Sequence, residues 1–277
     1  VRINAPLELP HIMILIDDEK KEIIESLKNK VTEEDVIYDF DLMLNGGHSK
    51  GYKLSGSVID EITNKLEALG DMKYFNKKYG LNEEVPCIYA MGDGNHSLAT
   101  AKACYEEVKK ELGEEEARKH KCRYALVELV NIHSDALDFE PIHRVIFDCD
   151  VEHLLTALYK RFKINTTGEG QKLTYITSVG EKTIYIEDPT SNLAVGTLQG
   201  FLDDYLQEFA GKIDYIHGDD VTREMGSKQD NIGFLLPKME KSDLFKSVIL
   251  DGALPRKTFS MGHSDDKRFY FECRKIK

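Results

Sequence analysis

The chain has 277 residues, 41% of them hydrophobic and 31% charged, with a formal net charge of -12. That balance suits a soluble globular protein of one large or two ordinary domains and excludes a disordered chain. The charge excludes tight sequence-independent binding to nucleic acid, which needs a cationic face to displace counterions, and no stretch approaches the ~20 apolar residues of a membrane span.

The first residues lack the basic region and long apolar run of a signal peptide. The chain begins without methionine and moves at once into a strand-like run, so it is expected to be the C-terminal portion of a longer protein. His11 to Ile16 reads as a strand and residues 17–30 as an amphipathic helix opened by Asp17 and Asp18. Residues 39–54 alternate and turn at Asn45-Gly46-Gly47, the pattern of a hairpin. Ser57 is expected to cap a long helix, and a second helix ends near Gly80. "VPCIYAM" reads as a buried strand. "GDGNHS" (92–97) follows, then a helix with Leu98, Ala101, Tyr105, Val108 and Leu112 on one face. "RYALVELVNI" and "IHRVIF" complete the first lobe as strands.

From Val151 the pattern restarts. Helices are expected over 151–162 and 197–209, a hairpin over 172–187, strands at "IDYIHG" and "NIGFLLP", a helix capped by Ser242, and a closing strand from Arg268 to Lys275. The class is therefore α+β, with lobes 1–150 and 151–277. Five cysteines without a C-x-x-C pair argue for reduced thiols and a cytoplasmic location. Nine histidines show no H-x-x-x-H spacing for a closed zinc site.

Three segments could carry chemistry. Gly92 and Gly94 lie between a strand and a helix, where unpaired amides of Asn95 to Ser97 can hold an anion at the positive end of the helix dipole. His96 could add a hydrogen bond. Phosphate repels Asp93 unless it holds Mg²⁺ or accepts a hydroxyl proton. Simple helix capping by Asn95 or Ser97 accounts for the same spacing. The second segment offers His143 and Arg144 to an anion; the third offers Arg256 and Lys257, although strand alternation would send these last two to opposite faces.

Together "MGDGNHSLATAK", "EPIHRV", "IHGDD", "NIGFLLPKMEKSDLF" and "LPRKTFSMG" resemble the bacterial and archaeal family called domain of unknown function 1015, in family order over nearly the whole chain. Full-length members carry roughly another hundred residues in front. The family is similar to the ParB/sulfiredoxin superfamily, whose members include free serine kinases. The resemblance implies a mixed sheet with flanking helices, ADP or ATP with Mg²⁺ as cofactors, and phosphotransfer to a small hydroxyl substrate. By position, Asp93, Gly94 and His96 match the superfamily's phosphate motif. Asn95 replaces its first histidine, and Ser97 stands where arginine is usual. The lost arginine leaves His143, Arg144, Arg256 or Lys257 to supply positive charge. A nucleotide-binding switch without catalysis is the alternative implied by the ParB side of the superfamily.

Overall fold

The computed structural model describes residues 2–9, 12–261 and 272–277. They form two compact units, one of residues 1–136 with 264–277 and one of residues 137–263.

The first unit contains strands β1 (Leu7–Glu8) and β2 (Met13–Ile16), a ribbon of β3 (Val36–Asp41) and β4 (His48–Tyr52), and helices α1 (Gly56–Leu69) and α2 (Met72–Tyr79). Strand β5 (Ala90–Asp93), helices α3 (Asn95–Leu112) and α4 (Glu114–Ala117) and strand β6 (Glu128–Asn131) follow. The short apolar run of β2, with Leu15 and Ile16 completely buried, occupies the middle of a three-stranded sheet. It pairs in parallel with β6 and antiparallel with β5. A mixed sheet buried on both sides favours an uninterrupted run of Met, Ile and Leu over an alternating one.

The amphipathic helix expected over 17–30 is replaced by a turn and a 3-10 segment, Glu25–Asn29. Long-range chemistry overrides the local pattern. The Asp18 carboxylate accepts the Ile23 amide at 2.8 Å, and the Asp18 backbone is held by the Asn131 side chain from β6. Lys21 adopts φ +56, which breaks helical propagation. Two smaller differences arise from local chemistry. Ser55, not Ser57, occupies the N-cap position of α1. Strand β5 starts only at Ala90, because Pro86 has no amide to give a ladder.

The second unit begins with β7 (Phe139–Phe147), then α5 (Val151–Arg161), β8 (Ile164–Asn165), β9 (Gln171–Thr177) and β10 (Gly180–Ile186). It continues through α6 (Ala194–Glu208), β11 (Lys212–His217), α7 (Asp219–Gly226), β12 (Ile232–Leu235), α8 (Asp243–Asp251) and β13 (Phe259–Met261). Its strands form an antiparallel sheet ordered β11-β7-β12-β9-β10-β8, with β13 also on β7. The division therefore falls before β7 and not near residue 150, since β7 pairs with three strands of this sheet. Strand β14 (Arg274–Lys275) pairs with β1 in the first unit; residues 268–271 of the expected closing strand lie outside the described residues.

The core of the second unit sits between the sheet and α5 and α6. Leu154 and Leu158 of α5 meet Leu198, Phe201, Leu202 and Tyr205 of α6 over Leu173, Ile184 and Phe234. Full burial of each such side chain contributes roughly 2 kcal/mol. The chain is thus α+β, with a mixed sheet in one unit and an antiparallel sheet in the other. Among the described residues no helix is long and apolar enough to cross a membrane. All five cysteines are free.

Candidate functional site

The GDGNHS segment forms the junction of β5 and α3. Gly92 packs on the sheet: a Cβ there would lie 3.0 Å from Leu15 Cγ. Gly94 occupies the N-cap position of α3 with φ +89 and ψ 22, a left-handed conformation that costs an L-residue roughly 1–2 kcal/mol. Gly94→Ala should therefore lower the melting temperature, and Gly94→Asn should recover part of the loss, because asparagine tolerates this region; thermal unfolding of the pair checks it.

Neither Asn95 nor Ser97 caps the helix. The N-cap makes no side-chain hydrogen bond, and the first amide to return to it is that of Leu98, at 3.0 Å from Gly94 O. The amides of Asn95, His96 and Ser97 consequently have no acceptor within the helix. All three residues are exposed. Asp93 is half-buried at the strand end, and its Oδ1 accepts the Gly94 amide at 2.7 Å. A carboxylate and three outward amides thus share one helix N-terminus, where the dipole favours negative charge.

The β2–β5 register places Asp93 beside Met13, at the start of β2. A second polar cluster lies at the other end of that strand. Buried Asp17 receives Lys78 Nζ at 2.8 Å, the Tyr79 hydroxyl at 2.6 Å and His133 Nε2 at 2.6 Å. Burial opposes the Asp17 anion, but these donors outweigh it together and hold its carboxyl below the usual range. Donor atoms of Asp17, Glu19 and His133 lie within 4.8 Å of one another. A dication there would have to displace the Lys78 ammonium, so the arrangement is that of a structural ion network. The sequence gives no signal of it beyond the two acids after a strand, because the partners are 61 to 116 residues away.

His143 and Arg144 belong to the second unit and point to opposite faces of β7, so they do not present themselves to one ligand together. Both are buried. His143 Nδ1 accepts the Leu236 amide at 3.1 Å, and Nε2 donates to Asp219 Oδ1 at 2.9 Å, a pairing that specifies the neutral ring. Burial lowers the His143 pKa from 6.5 against the opposing pull of Asp219. The unfolded chain then binds a proton that the folded chain refuses. Stability should be full above pH 6.5 and decline as pH falls below it, until the folded histidine itself titrates. His143→Gln, which keeps one donor and one acceptor, should flatten that part of a chemical-denaturation pH profile.

Arg144 is completely buried among neutral acceptors. Its Nε donates to Gln199 Oε1 at 2.8 Å, and its terminal nitrogens donate to the carbonyls of Ile142, Lys257 and Arg256 at 2.6, 2.9 and 3.2 Å. Arg256 and Lys257 precede β13 in a turn, both exposed, with Lys257 at φ +57. Arg144 thereby holds the backbone of the turn that carries the other two cations.

The family model described as "Protein of unknown function (DUF1015)" matches residues 1–205. The chain belongs to this family. The match to DUF1015 includes the GDGNHS junction, β7 and most of α6. No curated protein matches the chain. Among solved structures it is similar to a free serine kinase mutant in complex with ADP, at 15% identity and a TM-score of 0.45, over 96% of this chain and 88% of that one. A C-terminally truncated SbnI from Staphylococcus aureus shows 12% identity and a TM-score of 0.43, over 95% and 85%. A conserved hypothetical protein from Pyrococcus furiosus shows 13% identity and a TM-score of 0.40, over 96% and 91%.

Proposed function

We propose that this DUF1015 chain is a nucleotide-dependent phosphotransferase acting on a small hydroxyl compound, with the nucleotide's phosphates held at the β5–α3 junction. The observation that carries the reading is the uncapped N-terminus of α3 with the Asp93 carboxylate at its mouth. Three outward amides can bind phosphate oxygens, and His96 can add a hydrogen bond. In the step proposed, the substrate hydroxyl oxygen attacks the terminal phosphorus of ATP or ADP. The new O–P bond forms as the bond to the departing ADP or AMP breaks, and Asp93 accepts the hydroxyl proton. Such a reaction needs mainly positioning and charge neutralisation, which a preorganised turn and helix terminus supply.

Mg²⁺ would neutralise phosphate charge when bound. Asp93 is the loop's carboxylate for it, and the nucleotide phosphates would supply the remaining oxygens, as is usual for this ion. Ser97 in place of arginine leaves the junction without a bidentate cation.

The test incubates the full chain with ATP or ADP, Mg²⁺ and a panel of amino acids and small alcohols, following nucleotide loss and new phosphomonoester. Product formed in proportion to nucleotide consumed is the expected result. Nucleotide binding without product would replace the reading by a nucleotide-controlled switch, and absence of binding would end both.

A further inference from the structure

The second unit contains a group of cations for which the described residues supply no bound counterion. Arg144 and Tyr215 are direct cross-strand partners on β7 and β11. The Arg144 guanidinium lies 4.7 Å from the Tyr215 ring centroid, and that of Arg256 lies 5.4 Å from the same ring. One aromatic ring therefore carries two guanidinium groups. Cation–π contact offsets part of their mutual repulsion but leaves both charges in place.

The hydrogen bonds of Arg144 all go to neutral oxygens, and no carboxylate touches it among the described residues. Burial, with Arg256 nearby, pushes its pKa down to about 10. The Arg256 side chain makes no hydrogen bond or ion pair among the described residues and is exposed. The Tyr215 hydroxyl is buried without a hydrogen-bond partner. A buried orphan donor is costly, and groups of this kind in a folded protein call for an explanation.

We propose that Tyr215 and Arg256, with Arg144 fixing their arrangement, form an oxyanion site in the second unit that takes a single carboxylate or phosphate group. A planar guanidinium fork binds two oxygens of either group. The Tyr215 hydroxyl donates to one of them, which removes the orphan. The anion supplies the charge that the Arg144–Arg256 pair lacks. Arg144 keeps its place through Gln199 and through the carbonyls of Arg256 and Lys257, so it positions the turn that carries the exposed cation. The site is separate in residues from the GDGNHS junction and does not depend on the phosphotransfer reading.

Thermal unfolding of the full chain, titrated with sodium phosphate or sodium acetate against sodium chloride at matched ionic strength, tests it. Three variants accompany the wild type: Tyr215→Phe, Arg256→Gln and Gly94→Asn. At least one of the two oxyanions should raise the wild-type melting temperature saturably, and the one that does so identifies the ligand group. Arg256→Gln should remove that shift. Tyr215→Phe should weaken the apparent affinity about tenfold, the loss of one charge-assisted hydrogen bond. It should also leave the ligand-free protein at least as stable as the wild type, because it removes the orphan hydroxyl. A purely structural tyrosine would show neither change. Gly94→Asn should leave the anion shift intact. The proposal is overturned if neither anion gives a saturable shift, if the shift survives Arg256→Gln, or if Gly94→Asn alone abolishes it. The last result would instead assign the anion to the helix terminus.

Discussion

Replacing Arg144 by methionine is expected to lower the unfolding free energy by about 3–5 kcal/mol, the range for breaking a buried charged network from one side. The side chain is completely buried and satisfies four acceptors at once: Gln199 Oε1 and the carbonyls of Ile142, Arg256 and Lys257. Methionine fills much of the volume but leaves those oxygens without a donor, and each buried acceptor so stranded costs roughly 1–3 kcal/mol. Lysine keeps the charge but has neither the planar fork nor the reach of three nitrogens, so Arg144→Lys should recover less than half of the loss. Urea unfolding followed by far-UV dichroism checks both variants through the transition midpoint at unchanged slope. A loss below about 1 kcal/mol for Arg144→Met would mean that solvent replaces the guanidinium and that the turn at 256–257 is not held by it.

Asp93→Asn is expected to reduce phosphotransfer by about 10²-fold or more while leaving the fold intact. Asparagine retains an Oδ1 acceptor for the Gly94 amide, so the 2.7 Å contact that closes the turn survives. What disappears is the negative charge and the ability to take a proton. The two chemical roles open to Asp93 separate in one experiment. If it accepts the hydroxyl proton, the variant loses turnover at every Mg²⁺ concentration and the acidic limb of the pH–rate profile disappears. If it holds the metal, raising Mg²⁺ restores a large part of the rate. Turnover equal to wild type in both conditions would remove Asp93 from the mechanism.

Much of the fold was legible because its elements are locally encoded. The hairpin of β9 and β10, helices α5 and α6 and strand β12 carry periodic apolar residues bounded by turns, and they stand close to where periodicity puts them. The segment after β2 was not legible. Its helical pattern is sound by itself, but the Asp18 carboxylate, the Asn131 side chain and the left-handed Lys21 divert the backbone, and two of these depend on a strand more than a hundred residues away. The division between the units was misplaced for a related reason. β7 follows the first unit in sequence, yet its hydrogen bonds all go to strands that come later.

The same contrast holds for the candidate site. "GDGNHS" announces a strand-to-helix turn through its two glycines, and Gly94 takes the left-handed conformation that such a turn requires. Sequence could not decide whether Asn95 or Ser97 closes the helix, since a cap depends on rotamer as well as residue type; the structure has no side-chain cap there. The basic pairs were misleading in another way. His143-Arg144 reads as a cationic dipeptide, but strand alternation separates the two and burial commits each to internal hydrogen bonds. Tyr215 gave no signal at all, because its interest arises only from being opposite Arg144 across two strands.

The central claim, that nucleotide phosphates bind at the start of α3, is tested most directly by amide chemical shifts. Titration of ADP with Mg²⁺ into isotope-labelled protein should move the backbone amides of Gly94 to Leu98 first and furthest, with Gly94→Ala suppressing the response. ADP binding that leaves those amides unmoved, or the absence of any binding, would contradict it.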